Sequence, residues 1–245
     1  MELTIAAIGT AAHASKEGFY PYLDTSMHTF FSLKEVVGDE SFDLRGTVTD
    51  TLGTIANSVG KEKFLPYMEQ SFHLAFEGIK IDSSRLRESA FCFFAVMASV
   101  LKEELTPVLP QIMPAIIETL NQEDLDFGDK VTEDQAKALL NGNGDTDLLD
   151  SDEDDDDESI GLNVNSALQL EKEIAADALG EIFVYVRETF LPYLATATEQ
   201  LIELADTFYE GARKSALSAL WKFVLTLGEI QVTEPWLPGL PVVCR

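Results

Sequence analysis

The sequence predicts an all-α fold: an α-solenoid of four to five stacked helix pairs, broken by one long acidic insertion. Three observations predict it. A heptamer recurs, as GFYPYLD at 18–24, KFLPYME at 63–69 and TFLPYLA at 189–195. The marker prolines Pro21, Pro66 and Pro107 stand 45 and 41 residues apart, and Pro192 follows after 85, about two periods. A basic residue leads each unit: Arg45, Arg87 and Lys172 precede their prolines by 21, 20 and 20 residues, and Arg213 precedes Pro235 by 22. Met1 already occupies that leading place in the first unit.

Each unit reads as a first helix, a short turn, a proline and a second helix. The first helices are LRGTVTDTLGTIANSVG from Leu44, LRESAFCFFAVMASVLKEEL from Leu86, LEKEIAADALGEIFVYVRETF from Leu170 and ARKSALSALWKFVLTLGEI from Ala212. Their apolar residues fall at helical spacing, as at Leu52, Ile55, Ala56 and Val59. Proline at the start of the second helix loses no hydrogen bond, and its fixed φ suits a first turn. Phe19, Phe64 and Phe190, two residues earlier, are placed to pack back as a staple. Asp43 and the Asp82-Ser83-Ser84 run are expected to cap the first helices. Bulky groups in AFCFFAVMASV, EIFVYV and SALWKFVL are expected mostly in the core, and Cys92 with them. A period of 40–47 residues built of helix pairs is the signature of HEAT or armadillo arrays. No single pair can bury both of its apolar sides, so pairs stack. The expected organisation is three pairs over 1–121, an insertion over 122–163, and one full pair with a partial one over 164–245.

The insertion departs from this pattern. Between Asn121 and Glu158 there are sixteen Asp or Glu and two Lys, a net −14 within a chain of net charge −26. The block Asp152, Glu153, Asp154, Asp155, Asp156, Asp157 and Glu158 is its centre. Such density repels itself and is expected to be disordered. It reads as a lure for Lys/Arg-rich partners, or as a solubilising linker. Ser151, followed by acidic residues, resembles an acid-directed phosphorylation site.

The remaining acidic residues give the second helices a dispersed negative wall: Asp24, Glu69, Glu77, Glu118, Glu199 and Glu203. In a solenoid these helices line the concave side, and the wall suits an extended basic peptide, with Tyr22, Tyr67 and Tyr193 as apolar anchors. The strong negative charge argues against direct nucleic-acid or anionic-membrane binding. No apolar run reaches the ~18 residues of a membrane span. His28 and His73 sit seven residues after their prolines, one repeat position in neighbouring units, without the Cys or carboxylate company a zinc site needs. Nucleophile-elbow, phosphate-loop, dinucleotide and zinc-protease motifs are absent, so nothing points to an enzyme or a cofactor. Two cysteines without motif spacing fit a reducing compartment, cytosol or nucleus.

The helix pairs 86–120 and 171–220, with the acidic insertion between repeats, resemble consecutive HEAT repeats of the importin-β superfamily, nearest the large importins of the importin-four and importin-five types. The resemblance covers nearly the whole chain. It implies a nuclear import receptor shuttling between cytoplasm and nucleus, binding basic cargo such as histones and ribosomal proteins, and crossing the pore on Phe-Gly nucleoporins. It also implies cargo release by the Ran GTPase in the full-length receptor. The family's Ran-binding region is chiefly N-terminal and has no counterpart here, so the chain reads as a central segment. A HEAT scaffold of a stable complex, and a chaperone for basic proteins, remain alternatives.

Overall fold

The computed structural model describes residues 1–36, 41–122 and 156–233. Nine long helices occur among them. They are α1 (Glu2–Ser15), α2 (Tyr20–Val36), α3 (Phe42–Val59), α4 (Met68–Lys80), α5 (Ser84–Leu101), α6 (Leu109–Leu120), α7 (Asp156–Val186), α8 (Leu191–Ala205) and α9 (Glu210–Thr233). The odd helices form one layer, packed in sequence order α1–α3–α5–α7–α9. The even helices form the second, each joined to its odd partner by a tight turn. This is the predicted all-α solenoid.

The turns explain the recurring heptamer. Each begins where an odd helix ends on a residue with positive φ: Lys16 (48°), Gly60 (81°), Lys102 (53°) and Arg187 (58°). At the first three, the N–H of that residue donates to the carbonyl of Ala12, Ala56 or Ala98, closing the helix end. A 3₁₀ stretch follows, at Lys16–Phe19, Leu65–Tyr67, Lys102–Val108 and Arg187–Phe190. Pro21 and Pro192 sit in the first turn of the next α-helix as expected, whereas Pro66 and Pro107 sit in the 3₁₀ stretch itself. Their fixed φ suits either conformation. Phe19, Phe64, Leu105 and Phe190 occupy one repeat position, and all are buried. Phe190 stacks on Phe183 at 4.8 Å and meets Phe223 of the next unit edge-on at 5.5 Å, so the staple also joins repeats.

Two expectations are corrected. The residues capping α3 and α5 are Ser41 and Ser83, and neither closes a cap hydrogen bond through its side chain. Asp43 instead lies in the first turn of α3, where a carboxylate is favoured by the helix dipole. The boundary at 163 also moves. Helix α7 starts at Asp156, so Asp156, Asp157 and Glu158 belong to a helix and not to a loop. Carboxylates are favourable in a first turn, and Ile160, Val164 and Leu168 keep helical spacing behind them. Helices α3, α5 and α9 start three residues before their basic residue. Helix α7 starts sixteen before Lys172, so it carries 13 additional residues, about 20 Å of helix. Residues 123–155, including Ser151, Asp152, Glu153, Asp154 and Asp155, lie outside the described residues.

The solenoid continues across the insertion because α7 packs on both α5 and α6. A buried ion pair fixes the contact. Glu171 is fully buried and accepts hydrogen bonds from Arg87 Nε (2.6 Å), Arg87 Nη2 (3.1 Å) and the Thr119 hydroxyl (3.2 Å). Arg87 also reaches Asp82. Its bond to Glu171 holds the guanidinium above its usual pKa against the opposing effect of burial. Adjacent Glu88 is pushed up from the carboxylate range by burial. Arg87→Ala strands a buried carboxylate and is expected to cost about 3–5 kcal/mol in urea unfolding.

Close helix crossings set the spacing of the odd layer. A Cβ added at Gly180 would meet Lys222 Cδ at 3.0 Å and Ala219 Cα at 3.2 Å, both on α9. Two further methyls there have no room. Gly180→Val is expected to destabilise the fold by about 2 kcal/mol, read from the shift in urea midpoint.

Candidate functional site on the second-helix layer

All six carboxylates expected on the second helices lie there. Asp24 is on α2, Glu69 and Glu77 on α4, Glu118 on α6, and Glu199 and Glu203 on α8. Five are exposed and Glu77 is half-buried. The cause is the stripe pattern. The other side of each even helix is apolar and turned inward, as with Leu23, Met27 and Phe30 on α2 or Leu201 and Leu204 on α8.

The first two units are linked on this layer by a side-chain bond and a shared cleft. The Tyr67 hydroxyl donates to Asp24, linking the start of α4 to α2. Beside this bond lies a cleft of about 770 Å³ lined by His28, Phe31 and Ser32 of α2 and by Glu69, Gln70, His73 and Leu74 of α4. His73 Nδ1 stands 3.6 Å from the Glu77 carboxylate. The cleft thus combines an aromatic ring, an aliphatic side chain, two imidazoles and the Glu69 carboxylate. His28 and His73 are exposed, and they share this cleft. Phe31, Ser32, Gln70 and Leu74 were not singled out in the sequence. The repeated histidine position was the signal that led to them. Glu118, Glu199 and Glu203 lie farther along the stack and are not part of this cleft. Of the tyrosines, Tyr22 is exposed, while Tyr67 and Tyr193 are half-buried.

The odd layer carries a second set of repeat-matched groups. Asp50, Cys92 and Asp177 each stand five residues after their basic leader, on adjacent helices. Cys92 is a free thiol and exposed, which corrects the expected core position. Desolvation, then the Asp50 carboxylate, pushes the thiol up to about 11. Arg85, paired to Asp50 at 2.8 Å, opposes the effect. The nucleophilic thiolate is therefore scarce at neutral pH. Alkylation of Cys92 by iodoacetamide at pH 8 is expected to be roughly 100-fold slower than for a free cysteine, rising steeply toward pH 11.

Among the described residues no helix is long and apolar enough to cross a membrane. A stacked array of helix pairs with a charged second layer defines an α-solenoid. No family model matches the chain. It is 46% identical over 244 residues to the Schizosaccharomyces pombe protein "Probable importin subunit beta-4", covering 97% of this chain and 22% of that one. Importin-4 of Mus musculus is 31% identical over 236 residues, and Importin-4 of Homo sapiens 30% over 239. Each match covers 92% of this chain and 21% of the relative. Among solved structures, that of Kap121p superposes with a TM-score of 0.65 at 21% identity, over 94% of this chain and 22% of that one. The chain belongs to the importin-β family of karyopherins. It spans about a fifth of the length of the relatives it matches.

Proposed function

We propose that this solenoid is a cargo-binding part of a nuclear import receptor, and that its second-helix layer takes Lys/Arg-rich segments of proteins such as histones or ribosomal proteins. The observation that supports this reading best is the row of carboxylates on α2, α4, α6 and α8. Successive even helices present them at repeat spacing, which suits an extended peptide of the opposite charge. The cleft between α2 and α4 lies on that surface. A lysine stem fits against Phe31 and Leu74, with its ammonium group near Glu69. Each exposed pair contributes only ~0–1 kcal/mol, so affinity is a sum over many contacts and weakens with salt.

The acidic stretch centred on residues 147–159 adds long-range attraction and raises the on-rate for basic cargo. Ser151 is the phosphorylation site that would deepen it. In the longer receptor, passage through the pore on Phe-Gly nucleoporins and release by Ran complete the transport cycle between cytoplasm and nucleus. The role is one of binding, without catalysis or a cofactor.

The test is a fluorescence titration of a histone-tail peptide against the chain, the chain lacking residues 145–159, and Glu69→Lys. Each change is expected to weaken binding severalfold at low ionic strength, with the differences shrinking at high salt. Equal affinities that ignore salt would overturn the electrostatic reading.

A further inference from the structure

The carboxylates of the even layer fall on one helical stripe. Counted from Pro21, Pro66, Pro107 and Pro192, the stripe runs through the third, seventh and eleventh residues. The third and seventh are Asp24 and His28 on α2, Glu69 and His73 on α4, and Ala195 and Glu199 on α8, all exposed. Helix α6 differs. Its third and seventh are Pro110 and Pro114, also exposed, and only the eleventh, exposed Glu118, is charged.

The two prolines of α6 have different consequences. Pro110 lies in the first turn, where an N–H needs no partner within the helix. Pro114 lies inside the helix, so it has no N–H to offer the carbonyl of Pro110, four residues earlier. A helical carbonyl points along the axis toward the residue four ahead, here the Pro114 ring. Glu118 is one further turn on, about 6 Å of rise beyond Pro114. Helical side chains tilt toward the N-terminus, so its carboxylate leans back toward the same ring. A neutral acceptor and an anionic one therefore flank a small apolar ring on the stripe that carries the carboxylates of the other even helices.

We propose that the Pro110–Pro114–Glu118 stripe of α6 is an arginine-selective site, one that rests on the cargo-binding reading above and narrows it, at this unit, to one side chain. The guanidinium lies over the Pro114 ring and donates to the Pro110 carbonyl and the Glu118 carboxylate. Arginine suits this arrangement because its planar fork carries five N–H donors and is weakly hydrated. It can reach two separated acceptors while its face rests on an apolar surface. The lysine ammonium is compact and strongly hydrated, and on this stripe it gains the carboxylate alone. The stripes of α2, α4 and α8 attract either cation, because their acceptors are exposed side chains.

Calorimetric titration of octa-arginine and octa-lysine against the 245-residue chain and its Pro114→Ala variant tests this. Alanine restores the N–H that engages the Pro110 carbonyl, and it removes the ring. Alanine is also the better helix former, so the thermal midpoint should rise and unfolding cannot account for lost affinity. Octa-arginine is expected to bind Pro114→Ala severalfold more weakly, and octa-lysine to bind both proteins alike. Glu118→Gln should weaken octa-arginine more in the original chain than in Pro114→Ala, because the two acceptors hold one group. Salt-sensitive binding of both peptides, with the octa-arginine affinity untouched by Pro114→Ala, would overturn the arginine site and leave the cargo-binding reading standing. No salt-sensitive binding of either peptide would overturn both.

Discussion

The odd helices can stack only because each has somewhere to place its neighbour. A helix pair with two apolar flanks is not a stable body in water, and the energy of this fold comes from hiding each flank against the next pair. The crossings at Gly9, Gly53 and Gly180 bring backbones close, and the aromatic residues at the turns fill the seam between layers. Once the odd layer is set in this way, the even helices follow it, because a turn of only a few residues ties each to its partner. The row of carboxylates is then a consequence of stacking. Asp24, Glu69, Glu118 and Glu199 come from units far apart in sequence, and the common crossing places them on one layer.

The turns show how a short signal fixes a large geometry. Lys16, Lys102 and Arg187 adopt a left-handed φ that usually favours glycine, and only Gly60 supplies one. Such conformations cost on the order of 1–3 kcal/mol and persist where surrounding structure over-determines them. Here the buried Phe or Leu three residues later, and the proline two beyond that, leave the chain little choice. Long basic side chains at these positions also reach solvent from a crowded corner, as Lys61 does beside Gly60 in pairing with Glu104.

Much of this was legible in the sequence because repetition amplifies weak signals. One FLPY joint is uninformative, whereas three joints and four basic leaders at matched distances define the period, the helix pairs and the second-helix placement of the carboxylates. What escaped was set by contacts between units. Cys92 lies in an apolar run, yet five residues after Arg87 it is exposed. The Arg87–Glu171 pair joins residues 84 apart in sequence, and no periodicity announces that a basic leader will close on a carboxylate across an insertion. The early start of α7 was hidden by charge density. A run of Asp and Glu reads as self-repelling, but at the head of a helix part of it becomes favourable. The cleft was half legible, through its two histidines and Glu69, while its apolar walls depend on how α2 and α4 lean together.

The clamp formed by Arg87, Glu171 and Thr119 has an evolutionary consequence. It ties the helices before and after the acidic stretch directly to each other, so the architecture does not register how much chain runs between them. Length and charge in that stretch can therefore vary without disturbing the packing on either side of it. The part of the chain free to change is separated from the part whose contacts fix the stack.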